Sequence, residues 1–392
     1  MTGGKKIKPL ALYIHIPFCR KKCLYCDFTS FPGRTEDFDT YLHALTQEIE
    51  LRLSSGMTIA SLYIGGGTPT VLPATALVSL LATVRRVAQV LPEAEVTVEA
   101  NPGTVTEADL ALLRQAGVNR LSLGAQSGQD RLLQTLGRIH TVRQVEMTMA
   151  AARNAGFTNI NLDLIFGLPG QSVAAWQETL EWATALRPEH LSCYGLQVEA
   201  GTPLAARLTA GELTLPGEEE TSAMFLFNTE FLPRAGYRQY EISNFARCFP
   251  AEGGDYRSRH NLAYWRYDDY LGLGLAAYSG IAGRRWVNLD DLEQYINALR
   301  DGRLPVAEVE EIPPSTAMAE MIMLGLRLTS GPDPVAFEKR WGVSLEEIIG
   351  ERAAPLVAGG FLVKEAGTYH LTPRGMLLSN QVIAELLVPL LR

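Results

Sequence analysis

Cysteine is scarce in this chain and long apolar runs are missing, and each shortage narrows what the protein can be. Five cysteines in 392 residues are too few for a disulfide framework, and a chain of this length buries a core without covalent staples. The most apolar stretches, 271–283 and 382–391, are short, and the second carries Glu385 and Pro389, so no membrane span is predicted. Peripheral membrane contact stays open. Lys5, Lys6 and Lys8 precede an apolar run at 10–18 and mimic a signal peptide, but His15 interrupts the run and no small-residue cleavage site follows. Positive charge is also short: 35 Lys and Arg face 43 Asp and Glu, a net charge of −8, which argues against a nucleic-acid partner. There is no low-complexity tract. With 47% hydrophobic and 20% charged residues the composition is that of a globular chain, and free thiols suit a cytoplasmic one.

Three of the few cysteines share one loop, Cys19, Cys23 and Cys26. Three soft thiolates this close can hold three irons of a cubane cluster and leave the fourth iron open. Structural zinc is the rival, but it draws four ligands from two separated pairs, and no histidine flanks this loop at ligand spacing. His15 belongs to an alternating apolar run and is read as pointing off a strand. Arg20, Lys21 and Lys22 lie between the first two cysteines, where positive charge would lower thiol pKa values; the alternative is a solvated basic loop. Cys193 reads as a small core hydrophobe and Cys248 as a loop residue.

Short β-rich runs alternate with amphipathic ones. Strands are predicted at 11–18, 61–65, 95–100, 120–124, 159–165 and 190–196, and helices at 39–53, 73–90, 107–116, 142–155 and 173–186. Six β/α units imply a parallel sheet covered by helices, with ligands at the carboxyl ends of the strands. The cysteine loop follows the first strand. Gly65-Gly66-Gly67-Thr68 ends the second, where missing side chains let backbone approach a ligand; no Lys-Ser/Thr follows to make a phosphate loop. Glu99 ends the third strand, Gln126 follows the fourth, Arg138 lies in the next connection and Asp163 sits in the fifth. Glu218–Glu220 mark a helix start after Pro216. His140 is placed in a polar connection facing solvent, His43 on a helix face and His190 at a strand start.

The spacing C-x3-C-x2-C, with Tyr25 before the last cysteine, resembles the radical S-adenosylmethionine superfamily. There the cofactor's amino and carboxylate groups bind the open iron, and its reductive cleavage gives a 5′-deoxyadenosyl radical. The run Y-I-H-I-P-F-C ending at Cys19, followed by I-G-G-G-T-P-T from Ile64, is similar to the branch holding oxygen-independent coproporphyrinogen III oxidases and their relatives, the HemW-type heme chaperones. The likeness extends from about residue 11 to the C-terminus. It implies an open (β/α)6 partial barrel, a 4Fe-4S cluster on Cys19, Cys23 and Cys26, and S-adenosyl-L-methionine contacts at Tyr13, Tyr25, Gly66, Gly67, Thr68, Glu99, Gln126, Arg138 and Asp163. Some of these serve a second cofactor molecule in the oxidase.

The chain departs from the oxidases at Phe28, where they usually carry a fourth cysteine, and its first strand starts almost at once, without their N-terminal extension. Both features match the chaperone group. So does Arg259-His260-Asn261-Leu262-Ala263-Tyr264-Trp265, whose H-N-x-x-Y-W run resembles that group's heme-associated signature and implies heme contacts at His260, Tyr264 and Trp265. From the residues alone, an aromatic cluster of Tyr264, Trp265, Tyr267 and Tyr270 closing the barrel, with His260 hydrogen-bonded in a turn, is the alternative. The implied function is to bind heme and pass it to acceptor proteins; the rival is a radical enzyme acting on a tetrapyrrole. Pro305, Pro313 and Pro314 mark a boundary, giving a barrel core over 1–235, a connecting region over 236–312 and a small helical, winged-helix-like domain over 313–392. Residues 315–392 hold seven Lys and Arg against eight Asp and Glu, so this winged helix lacks the charge for DNA; a lid or partner-docking role is expected.

Overall fold

The computed structural model describes residues 9–249, 254–388 and 390; Lys5, Lys6 and Lys8 lie outside them. Six parallel strands form the central sheet in chain order: β1 (Leu10–Ile16), β2 (Thr58–Gly66), β3 (Gln89–Ala100), β4 (Arg120–Gln126), β5 (Ile160–Phe166) and β6 (His190–Gly195). Their covering helices are α1 (Phe38–Arg52), α2 (Ala74–Val87), α3 (Glu107–Gln115), α4 (Val142–Asn154) and α5 (Val173–Ala185). Strands such as β4 are buried at every position and need apolar or hydrogen-bonded residues throughout. The helix starts are set locally. Thr106 with Asp109 and Thr141 with Gln144 form reciprocal caps at α3 and α4, and Ser172 caps α5. Glu218–Glu220 occupy the first turn of the helix Glu218–Arg234.

The sheet is open: among the described residues β1 and β6 do not pair with each other. Tyr270–Leu273 runs parallel to β1 and continues through three antiparallel strands, Tyr278–Ile281, Arg284–Asn288 and Val306–Glu311. Asn244–Phe249 pairs antiparallel with β6. Cys248, expected in a loop, therefore lies on a strand. These added strands were not legible because the free edges of β1 and β6 recruit them, and local alternation does not reveal that. The third barrel strand also starts earlier than residue 95: Gln89 and Val90 pair with Thr58 and Ile59, which ends α2 at Val87.

The C-terminal unit follows the expected plan. Helices Pro314–Gly325, Pro334–Trp341 and Leu345–Ala358 precede a hairpin of Leu362–Glu365 and Thr368–Leu371, then Pro373–Leu377 and Ser379–Leu387. Ala366 and Gly367 both take positive φ in the hairpin turn. The unit's core residues Phe337, Leu345 and Leu386 join the same apolar cluster as Leu12 and Leu62 of the barrel. Among the described residues no helix is long and apolar enough to cross a membrane.

Candidate functional site

A cavity of about 600 Å³ opens at the carboxyl ends of the strands, a size suited to a small-molecule cofactor. Cys19, Cys23, Cys26, Tyr25, Gly66, Gly67, Thr68, Glu99, Gln126, Arg138 and Asp163 all line it. Tyr13, His260, Tyr264 and Trp265 do not.

The cysteine loop is tied at base and tip. At the base Phe31 N–H donates to Pro17 O (2.7 Å) and Gly33 N–H to Cys19 O (3.0 Å); at the tip Leu24 N–H donates to Leu136 O (3.0 Å) and Leu204 N–H to Leu24 O (2.9 Å). The three thiols are free. Burial pushes the Cys19 and Cys26 thiols up, outweighing the opposite pull of Lys22 on Cys26; the lowering expected from the basic loop is reversed by desolvation. The three thiols line one cavity wall, and a cubane takes one thiolate at each of three corners; the donor set fits that group.

The triple glycine serves the protein before any ligand. Gly66 has φ +117°, and a Cβ there would stand 2.7 Å from the His15 ring; a Cβ on Gly67 would lie 2.6 Å from Phe18 O and 2.9 Å from Cys19 Sγ. The glycines let β2 pass against the cysteine loop. Thr68 follows, its hydroxyl 3.6 Å from Cys19 Sγ and accepting from Asn101 Nδ2 at 2.7 Å. Arg138 donates to Cys23 Sγ (3.3 Å), to Gly124 O (2.8 Å) and to Asn101 Oδ1. One guanidinium therefore faces both the thiols and the cavity wall.

Glu99 accepts from Tyr63 Oη (2.7 Å) and Gly66 N–H (3.2 Å). Burial, with Asp163 nearby, pushes its carboxyl up to about 7. Asp163 accepts from Ser122 Oγ (2.9 Å) and Asn161 Nδ2 (2.8 Å). Gln126 sits at φ +65° beyond a bulge against β5, a costly conformation for a non-glycine residue that aims its amide at the cavity. Tyr63, Asn101, Ser122 and Tyr194 also line the cavity and were missed. Asn101 could have been found, since it stands two residues past Glu99 at the same strand end; the other three carry no signal distinguishable from ordinary strand residues.

Several placements differ from expectation. Tyr13 Oη is committed to His15 Nδ1 (2.9 Å), and His15 Nε2 to Thr29 O (2.9 Å), so His15 points inward. His140 is buried against Ala125 O, with burial bringing its pKa down to about 4; it does not face solvent. His260 is not an open imidazole. It is 2% exposed, with Nδ1 bonded to Ser61 Oγ and Nε2 to Tyr264 Oη, both at 3.0 Å. It stacks on Tyr63 and meets Tyr264 edge-on, while Glu95 accepts from its backbone N–H at the start of the helix Arg259–Trp265. Trp265 packs beneath Arg327. Tyr264 borders a second cavity of about 200 Å³, shared with Tyr267, Tyr270 and Arg340. Of the aromatic residues expected to cluster, Tyr264 and Tyr270 meet edge-on, while Trp265 packs apart with Tyr240 and Leu262.

Comparison with known proteins agrees with this architecture. Residues 13–183 match the Radical SAM superfamily and residues 312–378 the HemN C-terminal domain. The chain is 36% identical over 378 residues to heme chaperone HemW of Bacillus subtilis, covering 96% of this chain and 98% of that one. It is 33% identical over 384 residues to heme chaperone HemW of Escherichia coli, covering 96% and 98%. Coproporphyrinogen III oxidase (HemN) of Escherichia coli, described as a radical SAM enzyme, superposes with a TM-score of 0.82 at 25% identity, covering 97% of this chain and 90% of that one.

Proposed function

Because the chain belongs to the HemW heme chaperone family of the radical SAM superfamily, we propose that it binds heme and delivers it to acceptor proteins, with a 4Fe-4S cluster and S-adenosyl-L-methionine held in the barrel cavity. The observation that carries the reading is the convergence of the three cysteines with Gly66, Gly67, Thr68, Glu99, Gln126, Arg138 and Asp163 on one cavity. When bound, the cluster would supply an open iron and a single electron in the cavity. This chain's own residues define the rest. Cys19, Cys23 and Cys26 are the ligands, and Arg138 balances their charge through Cys23. Glu99 offers a carboxylate to a ribose hydroxyl or an ammonium group, and Gln126 an amide to the opposite wall. Heme contact by His260, Tyr264 and Trp265 rests on the H-N-x-x-Y-W resemblance. For His260 to reach iron it must first release Ser61 and Tyr264, so ligation would be a gated step. We place the protein in the cytoplasm and divide it at residues 235 and 312.

The test is anaerobic reconstitution followed by heme titration. The wild-type protein should show the broad charge-transfer absorption of a cluster and saturable heme binding, and Cys23→Ala should lose the first while Cys193→Ala keeps it. A stable cluster in Cys23→Ala would overturn the ligand assignment.

A further inference from the structure

The second cavity, of about 200 Å³, shares no lining residue with the first. It lies where the end of the helix Arg259–Trp265 meets the strands Tyr278–Ile281 and Arg284–Asn288 and, through Leu324 and Arg340, the first two helices of the C-terminal unit. Tyr264, Tyr267 and Tyr270 give it aromatic walls. Tyr264 faces two ways: its ring meets Tyr270 edge-on at 4.9 Å, and its hydroxyl holds His260 Nε2 at 3.0 Å. A ligand in this cavity therefore stands one side chain away from the imidazole.

Two features of the wall select the ligand. Tyr267 has φ +58°, and its N–H donates to Tyr264 O at 3.0 Å to close the helix. Glycine is the usual residue at such a left-handed helix end, so the tyrosine stands there at a steric cost. Its ring lies under the Arg340 guanidinium, 4.9 Å from carbon to centroid, and its hydroxyl donates to Glu320 at 2.9 Å. The charges on the wall are also unequal. Arg284 is spent on Glu311 (3.3 Å) and Arg285 on Glu320 (2.8 Å); Asp269 accepts from Ala282 N–H at 3.0 Å, and Asp268 has a partner of its own. Arg340 forms no ion pair among the described residues. The Tyr267 and Trp341 rings hold it by its faces, which leaves the N–H edge of the guanidinium for a carboxylate.

We propose that this cavity takes the carboxylate-bearing edge of a porphyrin, with Arg340 pairing a propionate and the tyrosine rings flanking the macrocycle. The inference rests on the heme-binding reading above and names the part of the ligand that is recognised. At about 200 Å³ the cavity is too small for a whole macrocycle, so the ligand enters by one edge. Arg340 belongs to the helix Pro334–Trp341, which gives the C-terminal unit a direct part in recognition.

The experiment titrates the protein with hemin, hemin dimethyl ester and iron-free protoporphyrin IX, the last to remove axial ligation. Wild type should bind the two free acids about tenfold more tightly than the ester, the weight of one charge-assisted hydrogen bond. Arg340 is exposed, so its replacement leaves the fold intact. Arg340→Ala should lose the tenfold for both acids and bind the ester as wild type does, and Arg340→Lys should recover part of it. Three results would overturn the site while leaving heme binding in place: equal affinity of wild type for hemin and its ester, a preference for the acid that survives in Arg340→Ala, or an ester affinity that falls in Arg340→Ala as far as the acid's. No porphyrin binding by wild type would overturn the heme reading, and this site with it.

Discussion

At the scale of single residues, Glu99 shows how a position acquires its chemistry. Nothing about a glutamate at a strand end sets its protonation; the cavity wall does, by desolvating it beside Asp163 while Tyr63 and Gly66 N–H offset part of the cost. Its folded pKa of about 7 lies above the ordinary 4.5, so between those values the folded state holds more protons than the unfolded one. Stability from this group is complete below pH 4.5 and is lost as pH rises through 7, by at most about 3 kcal/mol. Ligand binding should run the other way. If the carboxylate holds the ribose or ammonium of S-adenosyl-L-methionine, calorimetric affinity rises as pH passes 7, and Glu99→Gln removes that dependence and weakens binding about tenfold. A pH-dependent affinity in Glu99→Gln equal to that of wild type would locate the titrating group elsewhere.

At the scale of elements, the short helix Arg259–Trp265 is a plug under the barrel. Ser258 caps it, and Glu95 accepts from Ser258 Oγ and from the N–H groups of Arg259 and His260. His260 joins it to β2 through Ser61. With its pKa brought down by burial to about 3, the imidazole is neutral at every physiological pH and acts as a hydrogen-bond bridge. Replacing His260 by Ala strands the Ser61 and Tyr264 hydroxyls and opens a void, so denaturant melts should show a loss of about 2–4 kcal/mol. If His260 is released to the iron, the Soret band of bound heme shifts in the same variant; an unmoved band at unchanged heme affinity would remove His260 as the ligand. Spacing alone identifies residues on one helix face; the groups that face meets, Ser61 through His260 Nδ1 and Glu95 through the backbone N–H, are far away in sequence.

At the scale of the whole molecule, the close likeness to the coproporphyrinogen oxidase fold makes activity a question of details at the cavity mouth. Phe28 stands 64% exposed beside the cysteine loop, where the oxidases usually carry a further cysteine. Protein with cluster, cofactor and reductant is therefore expected not to convert coproporphyrinogen III, as read by chromatography; robust turnover would favour the enzyme reading. Phe28→Cys alone should not create turnover, since substrate positioning needs more than one side chain. The order of the six strands, the cysteine loop after the first and the polar residues at successive strand ends were legible in the sequence, because period-2 and period-3.6 patterning and strand-tip placement are local properties. The winged-helix plan of the C-terminal unit was legible for the same reason. Contacts between distant segments were not. Only the tertiary structure extended the sheet with strands recruited to its open edges, turned His15 inward onto Thr29, buried His140 and His260, and raised the Cys19 and Cys26 thiols against their basic neighbours. Each of these depends on which far-off group removes water or offers a hydrogen bond, a property of three-dimensional packing that no run of adjacent residues encodes.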